Sequence, residues 1–234
     1  MALPRLDQPT FTLTIPSTGK EVRYRPFTVR EEKIILVAQE SGDLQDYVNA
    51  FKQMIVNCLV DDVDVDALAS FDIEYIFLNL RAKSISNVVE MKILDKYEKQ
   101  VDATINLNNV QVHKSAVSNK IVLDEAREIG VKMKYPSFME LESLAVRDQG
   151  EFSLQQGLEL IAAMVDLVWE GENVYTDSTR AEILDFLADF NVDQMTKINE
   201  FLSDLPYVYV DLEFQNSQGE TETRRIAGIR NFFA

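Results

Sequence analysis

Apolar and polar positions along the chain switch between the period of a strand and the period of a helix. Phe11, Leu13 and Ile15 alternate with Thr10, Thr12 and Thr14, as in a strand with one buried face. Pro16–Lys20 supplies turn chemistry, and Val22 and Tyr24 resume the alternation, which predicts a β-hairpin. Pro26 ends the strand, and Thr28 with Glu31 forms a capping box opening a helix to about Gln39. The centre of that helix, Ile34–Ala38, is apolar on every side and is expected in the core. Leu44, Val48, Phe51, Ile55 and Cys58 share one face of a second helix. Ser70 is placed to cap a third, whose stripe is Ile73, Ile76, Phe77 and Leu80.

The period then returns to two. Val89, Met91 and Ile93, followed by Val101, Ala103, Ile105 and Leu107, flank a hairpin loop at Asp95–Gln100. Further short strands are predicted at Val110–Val112, Ile121–Leu123 and Ile129–Tyr135. After Pro136, Ser137 and Glu140 repeat the capping box. The pattern stays helical to Leu205, at Phe138–Arg147, Leu154–Trp169, Thr179–Asp189 and Asp193–Ser203. A last hairpin pairs Val208–Phe214 with Thr221–Ile229 across Asn216–Gly219, and the two terminal hairpins are candidates to share a sheet. The expected class is α+β, with terminal β-hairpins, a central antiparallel β segment and a helical majority. Three stretches follow: residues 1–87, hairpin plus helices; 88–136, central β segment; and 137–234, helical block plus hairpin, the last able to form one continuous domain with the first.

Composition adds exclusions. Of 234 residues 46% are apolar, with 8 Gly and 6 Pro, which is material for a buried core rather than a disordered chain. No apolar run reaches the roughly 18 residues of a membrane span, and Met1–Thr10 has no apolar signal core. The net charge of −16 argues against a nucleic-acid partner. That charge is uneven. Residues 137–205 hold fifteen acidic and three basic side chains, whereas residues 81–134 hold seven acidic and ten basic. A single cysteine, Cys58, excludes an internal disulfide and a cysteine-based zinc site.

Asp62, Asp64 and Asp66 match the first half of a calcium loop. Ala67 and Ile73 then stand where the loop needs Gly and a bidentate Glu, so an acidic loop is the reading. Glu159, Asp166 and Glu170 fall on one stripe of a predicted helix. Without a Glu-x-x-His motif they read as a solvated face or one meeting a basic partner. His113 has no nucleophile motif beside it and reads as a surface histidine, and Cys58 as a buried, inert thiol. No phosphate-binding glycine loop is present, and Lys20, Arg23, Arg25 and Arg30 lack the aromatic platform of a nucleic-acid site. The chain is read as no enzyme, with no catalytic, cofactor-binding or metal-ligating residue and no cofactor.

Three stretches carry a resemblance. Tyr24-Arg25-Pro26-Phe27 with Thr28–Lys33 resembles the Arg-Pro-Phe signature of the baseplate hub proteins of T-even-type contractile-tailed phages. Ser70–Ser84 is similar to that family's next recurrent segment, and Ile226–Phe233 to its carboxyl terminus. The resemblance runs in order over nearly the whole chain. It implies a late protein that builds the tail baseplate hub, as a hub component or an assembly factor, with a chaperone role toward the tape-measure protein as one form. Its implied partners are other hub or tape-measure proteins, with no membrane, and self-association stays open. Its implied place is the virion baseplate, or the host cytoplasm during assembly. No catalytic residue comes with the family. Some relatives carry cysteines near the central hairpin, where this chain has Lys96, Tyr97, Glu98 and Lys99, so a metal knuckle there is absent here.

Two sets of residues are candidates for interaction. Arg25, Pro26 and Phe27 have a structural explanation, with Pro26 fixing the hairpin exit, Phe27 stapling the helix and Arg25 meeting a carboxylate; the alternative is direct partner contact. Phe232 and Phe233, among Arg224, Arg225 and Arg230, read as a docking element packing on their own domain or on a partner. Two other functions compete: a hydrolase or metal enzyme built from non-adjacent carboxylates, and an acidic mimic of DNA. Two carboxylates held protonated in one pocket would mark the first, and carboxylates spaced like phosphates the second.

Overall fold

Alternation at the start of the chain produces β1 (Phe11–Thr14) and β2 (Glu21–Tyr24), with Leu13, Val22 and Tyr24 turned inward. The structure, a computed structural model, describes residues 6–41, 44–137, 140 and 154–228. Its chain divides into two compact units, Met1–His113 with Tyr207–Ala234, and Lys114–Pro206.

In the first unit the hairpin is followed by α1 (Val29–Ser41), α2 (Leu44–Cys58) and α3 (Ser70–Ser84). Phe51, Ile55 and Cys58 on α2 are buried, as their spacing requires. Helix α3 buries Phe71, Ile73, Ile76, Leu78 and Leu80, more than one stripe's worth, and so runs through the interior. Ser70 is its first residue rather than its cap. The Asp72 carboxylate takes the Ala69 amide at 3.2 Å and the Ser17 amide at 2.9 Å, tying the β1–β2 turn to the start of α3. The centre of α1 corrects an expectation: Leu36 and Val37 are 52% and 56% exposed. Among the described residues helix α1 packs chiefly on α2, and a helix covered along one side buries one face however apolar the others are.

Strands β3 (Val88–Leu94) and β4 (Gln100–Asn106) form the central hairpin. After β5 (Gln111–His113) the chain leaves this unit. It returns as β10 (Tyr207–Gln215) and β11 (Thr221–Ala227), which make the sheet β11-β10-β5. The terminal hairpins therefore lie in different sheets, β1–β2 forming its own. The tips of the two later hairpins are tied together. Asp95 accepts from Tyr97 N, Lys99 N and Ser217 N at 2.8–2.9 Å, and Lys96 pairs with Glu220 at 2.6 Å.

The second unit carries β6 (Lys120–Asp124), β7 (Ile129–Met133), α4 (Leu154–Met164), β8 (Val165–Glu170), β9 (Asn173–Tyr175), α5 (Arg180–Ala188) and α6 (Val192–Ser203). Its sheet runs β6-β7-β8-β9. Val131, Met133, Met164, Ile198 and Phe201 are wholly buried in its core. Thr179 caps α5 reciprocally with Glu182, and Asn191 caps α6 with Gln194.

The fold is mixed α+β, and among the described residues every strand pair is antiparallel. A helical majority is not observed: helix accounts for 37% and strand for 32%. The stretch expected as one helix over Leu154–Trp169 departs from that expectation. It is helical only to Met164 and continues without a loop into β8, because Val165–Trp169 is rich in β-branched and aromatic residues and pairs with β7. The helix expected at Phe138–Arg147 lies outside the described residues, although Ser137 and Glu140 make the reciprocal bonds of a capping box. Among the described residues no helix is long and apolar enough to cross a membrane.

Candidate interaction surfaces

Arg25-Pro26-Phe27 sits where the first hairpin meets three helices. Proline removes a donor and fixes the exit of β2, so Arg25 leaves the strand pointing back across the unit. Its guanidinium donates to Glu31 Oε1 at 2.9 Å, to the Asn57 carbonyl at 2.8 Å and to the Pro26 carbonyl at 3.0 Å. Glu31 is only 2% exposed. Burial alone would raise its carboxyl, but Arg25 together with the hydroxyl and amide of Thr28 holds it down to about 2. The Phe27 amide donates to Ser84 Oγ at 2.9 Å, and Ser84 Oγ donates to the Leu80 carbonyl. The three residues thus link β2, α1, α2 and α3.

The last hairpin displays its arginines differently. Arg225 pairs with Asp211 across the strands at 2.8 Å and lies 4.0 Å above the Tyr209 ring. Arg224 lies over Phe214 at 5.6 Å. A shallow groove of about 360 Å³ runs between Met91–Leu94 and Arg224–Ala227. Arg230, Phe232 and Phe233 lie outside the described residues.

The carboxylates considered for chemistry do not converge. Glu159 stands on α4 beside Arg180, whereas Asp166 and Glu170 stand on β8 and pair with Lys132 at 2.5 Å and Arg127 at 2.7 Å. The helical stripe that would have aligned them is broken at Met164. In the acidic loop, Asp64 caps a short 3-10 turn through the Asp66 amide and Asp66 pairs with Lys52, while neighbouring Asp61 holds Arg23. Among the described residues no group of three or more His, Cys, Asp or Glu is placed to hold a metal ion. His113 stacks on Tyr207 at 4.9 Å. Cys58 is fully buried, and burial pushes its thiol up to about 11.

A site that the sequence gives no direct sign of lies in the second unit. A groove of about 470 Å³ opens between the sheet and helices α5 and α6. Its apolar wall includes Leu123, Ile129, Val168, Ile183, Phe186 and Phe190, with Trp169 and Tyr175 beside them. Trp169 is fixed by its cross-strand partner Gly130. A Cβ at Gly130 would collide with the indole and stand 2.6 Å from the Ile121 carbonyl oxygen. Phe186 and Phe190 meet edge to face at 5.0 Å. The polar rim is acidic: Asp124, Glu170, Glu182 and Asp189 face one cation, Arg127. Hydrogen bonds from the Thr179 amide and hydroxyl hold the Glu182 carboxyl below its ordinary range, the reverse of what a general acid needs. The lone Trp and the Phe pair at i, i+4 are the traces this groove leaves in the sequence.

The described chain is an antiparallel α+β protein of two units, with a groove in the second and tied hairpins in the first. Residues 8–234 match the family model described as T4 bacteriophage base plate protein, and the chain belongs to that family. No curated protein and no solved structure gives a significant match. The match covers the Arg25-Pro26-Phe27 node, the three hairpins of the first unit and the whole of the second unit.

Proposed function

We propose that this baseplate protein is a non-enzymatic component of the tail baseplate hub, which enters the hub through its carboxyl-terminal sequence segment, the one containing Arg224, Arg225, Arg230, Phe232 and Phe233. The observation that carries the reading is the family match over residues 8–234. Two features support its details. Arg225, paired with Asp211, is exposed on an edge strand, and the two phenylalanines gain roughly 1.5–3 kcal/mol apiece on leaving water. The Arg25-Pro26-Phe27 node serves this segment by holding the first unit together. Its partners in this reading are other hub proteins.

Mass spectrometry of purified virions beside assembly intermediates tests the reading. Presence in both is expected. Presence in intermediates alone would replace the hub component with an assembly factor, such as a tape-measure chaperone, and absence from both would overturn the proposal. Deleting Asn231–Ala234 is expected to leave the melting temperature unchanged while hub assembly fails. A fall in melting temperature would assign the segment to the protein's own core instead.

A further inference from the structure

We infer that the groove of the second unit is a docking site for a segment of a partner protein that presents an aromatic side chain flanked by Lys or Arg. The apolar wall sets the first requirement. Ile183, Phe186 and Phe190 on the helix side and Val168 and Trp169 on the sheet side leave a gap of about 470 Å³, within the range of about 300–1,000 Å³ typical of binding sites. One aromatic ring placed there meets ring faces and edges, the arrangement aromatic pairs favour.

Charge sets the second requirement. Four carboxylates stand at the rim against one guanidinium, and Arg127 is already engaged with Glu170 at 2.7 Å. Asp189, exposed at the end of α5, projects its charge toward solvent. Phosphates would be repelled by this rim, whereas Lys or Arg beside the aromatic anchor completes it. Tyr175, 47% exposed on the edge strand β9, extends the apolar surface beyond the groove and offers a face to the same cation. That the partner belongs to the baseplate rests on the proposed function; the chemistry of the segment does not.

Trp169 is the chain's single tryptophan and lines the groove, so its emission reports occupancy directly. The full chain is titrated with the blocked peptide Ala-Arg-Phe-Lys-Ala and with versions carrying Ala for Phe, or Glu for both Arg and Lys. The expected result is a saturable emission change with the first peptide, at least ten-fold weaker for either replacement and weakened by added salt. Asp189→Lys, at an exposed position, is expected to lower affinity several-fold with the melting temperature unchanged. Phe186→Leu, which keeps the core filled, is expected to do the same through shape. Equal response to all three peptides, or no saturable response, overturns the inference whatever the virion analysis gives. If sedimentation shows the chain self-associating with a parallel change in Trp169 emission, a second copy fills the groove and the partner assignment is wrong.

Discussion

Replacing Glu31 by Gln tests whether one buried ion pair holds the first unit together. The amide keeps the size of the carboxylate but removes its charge, and leaves the Arg25 guanidinium with neutral acceptors only, among them the Pro26 and Asn57 carbonyls. The carboxyl is held from its ordinary 4.5 down to about 2. At about 1.4 kcal/mol per pH unit, that separation corresponds to about 3 kcal/mol of folding stability. Because the folded value is the lower one, the contribution is complete above about pH 5 and fades as pH falls toward 2. Urea unfolding followed by circular dichroism at pH 7 is expected to show Glu31→Gln less stable by about 3 kcal/mol. With a slope of roughly 2 kcal/mol per molar, the midpoint moves by about 1.5 M. The gap between the two proteins should then narrow steadily from pH 5 to pH 2.5. A gap of the same size at pH 7 and pH 3 would refute the reasoning, since it would make the loss one of shape rather than of charge.

Other outcomes follow from single contacts. Gly130→Ala is expected to destabilise the second unit by about 1–3 kcal/mol and shift Trp169 emission, because the new methyl meets both the indole and the Ile121 carbonyl. Combining it with Trp169→Ala should recover part of the loss in thermal melting. Asp95→Ala is expected to lower the melting temperature and speed amide exchange at Tyr97, Lys99 and Ser217, the three amides its carboxylate receives. Cys58, buried and with its thiol near 11, is expected to resist a disulfide reagent at pH 8 until urea unfolds the chain.

Much of this architecture is written locally. The three hairpins follow from alternation around short turns, and the Thr28–Glu31 and Ser137–Glu140 bonds follow from residues three apart. What escaped depends on distant partners. Nothing between Leu158 and Glu170 breaks a helix, and the change at Met164 is decided by β7, which offers Val165–Glu170 a strand to pair with. Likewise, whether Leu36 and Val37 are buried depends on how many elements pack around α1, which periodicity does not record. The groove draws residues from β6, β7, β8, β9, α5 and α6, and only its Trp and Phe pair stand out in the sequence. The Arg25–Glu31 pair was half legible: the carboxylate appeared as a helix cap, while its bond to the hairpin arginine spans six residues and two elements.

The pairing of β5 with β10 bears on the order of events during synthesis. His113 and Tyr207 are opposite one another, yet the whole second unit lies between them in the chain. A ribosome therefore finishes Lys114–Pro206 before it makes the strands that complete the sheet of the first unit. The later-numbered unit is contiguous and has every residue of its own core available early, whereas the first 113 residues wait with β5 unpaired. Until Val208–Phe214 emerge, the apolar faces of the central hairpin have no β10 to pack on. The amino-terminal half is thus synthesised first and completed last, and the interval in which it needs protection from wrong contacts is set by the length of the insertion.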